Sequence, residues 1–139
     1  VDLLKKNTNE NPVYYVQYAH ARICAVLRNA KELGINYGLD FYSPELLTHE
    51  RERELIGLLA QYPKIVASAA LMRQPHRVAR YIEEVAGQFH RFYNDCRVLP
   101  LGDEKPTDLN SSRATLSLAA AQVISNGLDL LGVSAPEKM

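Results

Sequence analysis

The chain has 139 residues, enough for one domain with a buried core. Its sixteen basic and sixteen acidic residues cancel, which argues against a general binder of phosphate backbones. No apolar run reaches the length of a membrane span, and the N-terminus carries no signal or transit pattern, so neither a membrane nor a secreted protein is expected. The two cysteines, Cys24 and Cys96, lack metal-ligand spacing and are expected to be free thiols in a reducing compartment.

The first predicted helix runs from Pro12 to about Leu33. Asn11 is suited to cap it, and proline suits the first helical position because its missing N–H would be unpaired there. Gly34 is placed to end the helix. Residues 1–10, a short apolar start followed by a polar connector, are expected to be the tail of a linker from a preceding domain of a longer protein.

Two tyrosines and an arginine form a stripe beside the apolar face of this helix. Tyr15, Tyr18 and Arg22 stand at i, i+3 and i+7 and therefore lie close to one another. Phenol rings can stack on unpaired bases, and a guanidinium can hold a phosphate. The same spacing also suits tyrosines that cover a contact between helices beside a surface arginine. The spacing alone leaves both interpretations open.

A loop with one helical turn is predicted for residues 35–48, followed by a second helix from Thr48 or His49. Pro63 should kink or split this helix, since it removes one internal hydrogen bond. The alternating charges of residues 50–54 are predicted to form a solvated face.

The third main helix is predicted to begin at Pro75 and has the clearest apolar stripe in the chain. Its members are Val78, Ile82, Val85, Phe89, Phe92 and Cys96. Tyr93 and Arg97 stand one turn apart beside this stripe, next to small residues. Small neighbours leave room for a base over an aromatic ring, but they equally suit close helix packing.

A basic patch lies at the start of the third helix. It consists of Arg73, His76, Arg77 and Arg80. Positive charges at a helix start oppose the helix dipole, so helix stability does not explain them. A phosphate, an acidic partner or plain solvation of the surface would each account for the patch.

A loop over residues 98–112 precedes a last helix, for which Ser111 or Ser112 is the predicted cap. Gly132 should end that helix and leave an extended C-terminal tail. The fold class predicted is therefore all-α, a bundle of four to five main helices with one proline kink.

The sequence contains no recognisable catalytic set. Four histidines lack cysteines or carboxylates at metal-ligand spacing, and no glycine-rich loop could cradle a phosphate. We therefore expect no catalytic residues, no metal site and no cofactor site in this chain.

Three segments together resemble the C-terminal anticodon-binding domain, of the DALR type, of arginyl-tRNA synthetases. The first is Asn11-Pro-Val-Tyr-Tyr-Val-Gln-Tyr-Ala-His-Ala-Arg22. The second runs from Pro75-His-Arg-Val-Ala-Arg-Tyr81 to Phe92-Tyr-Asn-Asp-Cys96, and the third from Gly127-Leu-Asp-Leu-Leu-Gly-Val133 to Met139. They occur in the family's order and span nearly the whole chain.

The resemblance implies that residues 11–139 form a domain that binds the anticodon arm of tRNA(Arg). Tyr15 and Tyr18 would match the tyrosines that pack against the anticodon loop, and Tyr93 the tyrosine of the third main helix. Arg97 stands where some relatives place a tryptophan, so an arginine contact to phosphate or base would replace stacking. Met139 would match the C-terminal residue that reaches the anticodon pocket in some members.

The resemblance also implies a parent enzyme that uses ATP, Mg²⁺ and L-arginine through a catalytic domain in the same chain. The activation motifs of such enzymes are missing here, so this fragment should not aminoacylate. We expect a cytoplasmic monomer. Two rival hypotheses are a helical protein-interaction module and a freestanding paralogue that binds another RNA or a small ligand.

Overall fold

The computed structural model describes residues 11–139, and this part of the chain contains five α-helices and no strand. The helices are α1 (Pro12–Glu32), α2 (Glu50–Ala60), α3 (Tyr62–Leu71), α4 (His76–Asp95) and α5 (Asp108–Leu130). Two short 3₁₀ turns, Leu39–Phe41 and Pro44–Leu46, lie between α1 and α2. The predicted all-α class is confirmed. The predicted linker at residues 1–10 lies outside the described residues.

The core forms where α1, α4 and α5 pack against one another, and α2 and α3 cover α4. Each residue of the predicted α4 stripe is at most 4% exposed. Burial of a large aliphatic or aromatic side chain contributes about 1.5–3 kcal/mol, so this stripe fixes α4 as the central helix. Gly127 lies where α5 packs against α4. A Cβ at this position would clash with the Ile82 side chain of α4, so the close approach favours glycine.

The ends of α1 agree with the prediction. The Asn11 Oδ1 accepts hydrogen bonds from the N–H groups of Val13 at 3.0 Å and Tyr14 at 3.4 Å. At the other end Gly34 has a φ of 78°, a left-handed conformation that favours glycine.

Pro63 lies at the break between α2 and α3, so the predicted helix is split there. The proline occupies the second position of α3, where its missing N–H leaves no internal bond unmade. The cap of α2 is His49. Its Nδ1 accepts from the Arg51 N–H at 3.0 Å, and the Glu52 carboxylate accepts from the His49 N–H at 2.8 Å.

The prediction that residues 50–54 are a solvated face is wrong at Glu52, which is 1% exposed. Arg113 of α5 donates from Nε to the Glu52 carboxylate at 2.6 Å. It also donates from Nη1 to the Arg97 carbonyl at 3.0 Å. Charge alternation could not reveal this pair, since its two members are 61 residues apart.

The cap of α5 is Thr107, so the prediction of Ser111 or Ser112 is wrong. Thr107 and Asn110 form a reciprocal capping box, which starts the helix earlier. Ser112 has another role: its hydroxyl is fully buried and accepts from the Ser43 N–H at 2.9 Å.

Gly132, with a φ of 73°, ends α5 as predicted. Residues 133–139 then continue without a helix. No helix within residues 11–139 is long and apolar enough to cross a bilayer.

Candidate nucleic-acid interface

The C-terminal tail, residues 133–139, lies along α1. Three side chains on one face of α1 donate hydrogen bonds to three carbonyl oxygens of the tail. The pairs are Gln17 Nε2 with Ser134 at 2.9 Å, His20 Nδ1 with Pro136 at 2.9 Å, and Arg28 Nη1 with Glu137 at 3.2 Å. Because a carbonyl only accepts, the His20 Nδ1 must carry a hydrogen.

An open cavity of about 680 Å³ lies between α1 and the end of the tail. It is lined by Tyr18, Ala21, Arg22, Ala25, Arg28, Lys138 and Met139. Tyr18 is 43% exposed and Met139 54% exposed, so both side chains reach solvent. Three of the seven lining residues are cationic and none is acidic. This volume and lining suit a small anionic group that carries an aromatic ring.

Arg22 connects this tail cavity to α4. Its guanidinium carbon lies 5.4 Å from the centroid of the Tyr93 ring, within the range of a cation–π contact. The Tyr93 ring in turn stacks on Phe89, with centroids 5.8 Å apart and planes 22° apart. The half-buried Tyr93 ring is therefore held between a core aromatic ring and a surface cation.

A second open cavity, of about 520 Å³, lies beside Tyr93. Its lining residues are Asn29, Glu32, Leu33, Tyr93, Asn94, Arg97, Leu99, Pro100 and Leu101. The Arg97 side chain is exposed and lies 4.0 Å from the Glu104 carboxylate, an ion pair that contributes little in solvent. The guanidinium can therefore leave Glu104 for another anion.

Tyr15 is half-buried at the start of α1, where its ring centroid lies 5.7 Å from that of His90. Burial raises the pKa of Tyr15, and the charge of Arg91 opposes that shift. Burial also lowers the pKa of His90, with the positive charge of Arg22 acting in the same direction. His90 is therefore neutral at pH 7 and adds no charge beside Tyr15.

Arg77 lies apart from the other predicted site residues. It is in the first turn of α4, where its Nε donates to the Gln74 side chain. Arg77 and Tyr93 are 16 residues apart on this helix, or about 24 Å along its axis. Arg77 and Arg80 line a different cavity, beside the start of α4.

The structure thus places five of the predicted residues on the surface formed by the two cavities and leaves Tyr15 and Arg77 outside both cavities. Tyr18, Arg22 and Met139 line the tail cavity, and Tyr93 and Arg97 line the second cavity. Tyr15 lies one turn before Tyr18 on α1.

Sequence reasoning missed four residues of this surface: Gln17, His20, Arg28 and Lys138. The spacing of the first three on one helix face was the available signal. Their acceptors are backbone carbonyls, which leave no mark in the sequence of the tail.

Within residues 11–139, no group of three or more His, Cys, Asp or Glu residues could hold a metal ion. Cys24 and Cys96 are free thiols, as predicted, and burial raises the pKa of both.

The profile of the DALR anticodon binding domain family matches residues 16–139. The chain belongs to this family. It is 58% identical over 137 residues to the arginine–tRNA ligase of Clavibacter sepedonicus, covering 99% of this chain and 24% of that protein. It is 55% identical over 141 residues to the arginine–tRNA ligase of Pseudarthrobacter chlorophenolicus, covering 99% of this chain and 26% of that protein.

The DALR-family fold is also seen in solved structures. The arginyl-tRNA synthetase of Thermus thermophilus superposes with a TM-score of 0.73 at 29% identity. That likeness covers 98% of this chain and 22% of the synthetase chain. The chain therefore spans about a quarter of the length of the ligases that it matches.

Proposed function

We propose that this chain binds the anticodon arm of tRNA(Arg) as one domain of an arginine–tRNA ligase. The family and its ligase relatives support the class of ligand. The observation that carries the proposal is the position of Arg22, which lies over the Tyr93 ring and also lines the tail cavity. One cation thereby joins two ring-bearing cavities on a single face, which suits consecutive unpaired nucleotides.

Each side chain has a distinct role in this proposal. Tyr18 and Tyr93 offer ring faces for stacking, and Met139 lines the tail cavity together with Tyr18. Arg22 and Arg97 contact phosphates or base edges, since guanidinium groups present several donors. Tyr15 extends the aromatic surface along α1.

Local charge explains how a chain with no net charge can bind RNA. Arg22, Arg28 and Lys138 surround the tail cavity without an acidic neighbour in its lining. We assign Arg77 a phosphate contact. Because Arg77 lies away from both cavities, that phosphate would lie farther along the RNA. The second cavity has one acidic side chain in its lining, that of Glu32.

The parent enzyme in this proposal is a cytoplasmic monomer that joins arginine to tRNA(Arg). ATP, Mg²⁺ and L-arginine are bound by the catalytic domain of the same polypeptide, outside this chain. This domain contributes RNA recognition.

The rival hypothesis of a protein-interaction module fits the surface near the tail less well. A partner helix that presents an apolar face needs an apolar groove. The tail cavity instead has three cations among its seven lining residues. This lining favours an anionic ligand.

The test is binding of a fluorescent RNA hairpin that carries the anticodon arm of tRNA(Arg). We expect Arg22→Ala to weaken binding about tenfold, because a hydrogen bond to a charged group is lost. Arg53→Ala is the matched control, since Arg53 is an exposed arginine of α2 outside both cavities. A second hairpin with a changed anticodon should bind more weakly. Equal binding of the two hairpins, or no binding of either, would contradict the proposal.

A further inference from the structure

The end of the tail forms one wall of the tail cavity, and that wall is held from outside the cavity. Lys138 and Met139 line the cavity together with residues of α1. Gln17 and His20 do not line it, yet they hold the carbonyls of Ser134 and Pro136.

We propose that Gln17 and His20 are positioning residues for RNA binding, which set where Met139 stands beside Tyr18 and Arg22. This inference rests on the proposed function, because it assumes that the tail cavity binds RNA. It assigns a role in recognition to two side chains that need not touch the RNA.

Little else holds the last residues in place. Val133 and Ala135 are half-buried against the core, whereas Glu137, Lys138 and Met139 are exposed. A chain end without apolar burial keeps its conformational freedom unless specific bonds remove it. The hydrogen bonds to Ser134 and Pro136, with that from Arg28 to Glu137, supply those bonds just before Met139.

The His20 contact has a strict chemical requirement. The imidazole is 7% exposed, and its Nδ1 must donate to the Pro136 carbonyl. Proline adds stiffness at the point of attachment, since its ring fixes φ. An asparagine at position 20 can place an amide N–H near the Nδ1 position, whereas an alanine cannot donate.

The hydrogen bond from Gln17 to Ser134 can be removed by a substitution of nearly the same shape. Replacing its amide with a carboxylate in Gln17→Glu removes the donor and places a second acceptor against the Ser134 carbonyl. Gln122→Glu is the matched control, because Gln122 is an exposed glutamine of α5 that adds the same charge away from the tail. Arg28 is left out of the test because it lines the cavity itself.

The position of Met139 can be observed directly. The chain contains two methionines, Met72 and Met139, so a spectrum of ¹³C-labelled methionine methyl groups has two signals. Met72, which follows α3, serves as the internal reference. We expect Gln17→Glu and His20→Ala to move the Met139 signal towards that of a flexible methionine, with the Met72 signal unchanged. His20→Asn and Gln122→Glu should leave both signals in place.

Binding of the anticodon-arm hairpin is measured on the same folded samples. Gln17→Glu and His20→Ala should lose affinity roughly three- to tenfold, the usual range for one hydrogen bond. His20→Asn and Gln122→Glu should bind like the unchanged chain. In a Met139→Ala background the loss from Gln17→Glu should shrink, because the two changes act through the same side chain.

Each alternative result has a separate meaning. An unmoved Met139 signal, or a moved signal without loss of affinity, would overturn the positioning roles while Arg22→Ala still reports RNA binding. An equal loss from Gln17→Glu in the Met139→Ala background would also overturn them, since the added charge would then act directly on RNA. Failure of the unchanged chain to bind the hairpin would remove both proposals.

Discussion

Two non-helical segments of this molecule are held against helices by the same device. Residues 96–107 and the tail, residues 133–139, both present backbone carbonyls to donor side chains of a helix. In the first segment, Asn110 Nδ2 donates to the Val98 carbonyl at 2.8 Å, and Arg113 donates to that of Arg97. In the tail, the donors come from α1.

Of these five bonds, the buried one belongs to residues 96–107. The Arg113 bond to Arg97 is exposed, and the His20 bond to Pro136 is partly buried. Val98 is 1% exposed and its bond to Asn110 is buried, whereas the Gln17 and Arg28 bonds to the tail are exposed to solvent. A broken bond leaves an unpaired polar group when it is buried, but water replaces the lost partner when it is exposed. The same device should therefore contribute more to stability at Val98 than at the exposed bonds of the tail, where we propose that it positions Met139.

Arg113→Ala is the substitution with the largest expected effect on stability. It leaves the buried Glu52 carboxylate without its cation and frees the Arg97 carbonyl. Removing one member of a buried ion pair typically costs about 3–5 kcal/mol, so urea unfolding should show a loss of that size. Arg51→Ala is the control, because Arg51 pairs with Asp95 at the surface and should change stability only slightly. Equal effects of the two substitutions would mean that burial does not distinguish the two ion pairs.

A second test concerns Tyr81, another buried side chain that donates a hydrogen bond to a backbone carbonyl, here near the end of α2. The Tyr81 hydroxyl donates to the Leu58 carbonyl at 2.7 Å. Burial raises the pKa of Tyr81 to about 12, with contributions from the charges of Glu84 and Tyr62. The folded state thus keeps a proton that the unfolded state loses above pH 10, so this stabilisation is present below pH 10 and lost as the pH rises to about 12.

We expect the stability advantage of the unchanged chain over Tyr81→Phe to shrink by roughly 2–3 kcal/mol across that range. Urea unfolding of both proteins, measured from about pH 9 to 12, checks this. A constant difference between them would show that the hydroxyl does not carry the effect.

Alanine substitutions of the tyrosines should distinguish effects on hairpin affinity from effects on folding stability. Tyr18→Ala should weaken hairpin binding roughly five- to hundredfold, because one stacked base is worth about 1–3 kcal/mol. Its unfolding midpoint should move little, since Tyr18 is 43% exposed. Tyr93→Ala should reduce both quantities, because that ring also stacks on Phe89. Loss of stability without loss of affinity in both variants would place these rings in the core alone.

The smallest expected effect concerns Arg77, which belongs to neither held segment. If it contacts one phosphate of a single strand, Arg77→Ala should flatten the salt dependence of hairpin binding by about 0.7 in the logarithmic slope. Arg53→Ala should leave the slope unchanged. An unchanged slope for Arg77→Ala as well would make Arg77 an ordinary solvated residue.

The features that could be predicted from the sequence depend on residues close together in the chain, and the features that could not depend on residues far apart. The α4 stripe and the split at Pro63 were predictable because they depend on residues within a few turns. The burial of Glu52 was not predictable, since its partner Arg113 lies on another helix, 61 residues away. The cap of α5 was misplaced because two serines within the helix satisfied the same local preference as Thr107.

The same contrast between near and distant residues applies to the candidate surface. The spacing of Tyr15, Tyr18 and Arg22 indicated a stripe on α1, whereas the closeness of Met139 to that stripe was implied only by the family resemblance. The contacts of Gln17 and His20 with tail carbonyls could not be predicted, because every residue of the chain offers the same backbone carbonyl.

The order of synthesis adds a consequence of the attachment between α1 and the tail. The three hydrogen bonds join positions that are 117, 116 and 109 residues apart. At about 5–20 residues per second, the donors on α1 wait roughly 5–25 s before their acceptors have been made. The other helices can assemble during that interval, with water at the tail's place on α1. The attachment of the tail to α1 therefore forms after the contacts among the helices that precede it in the chain.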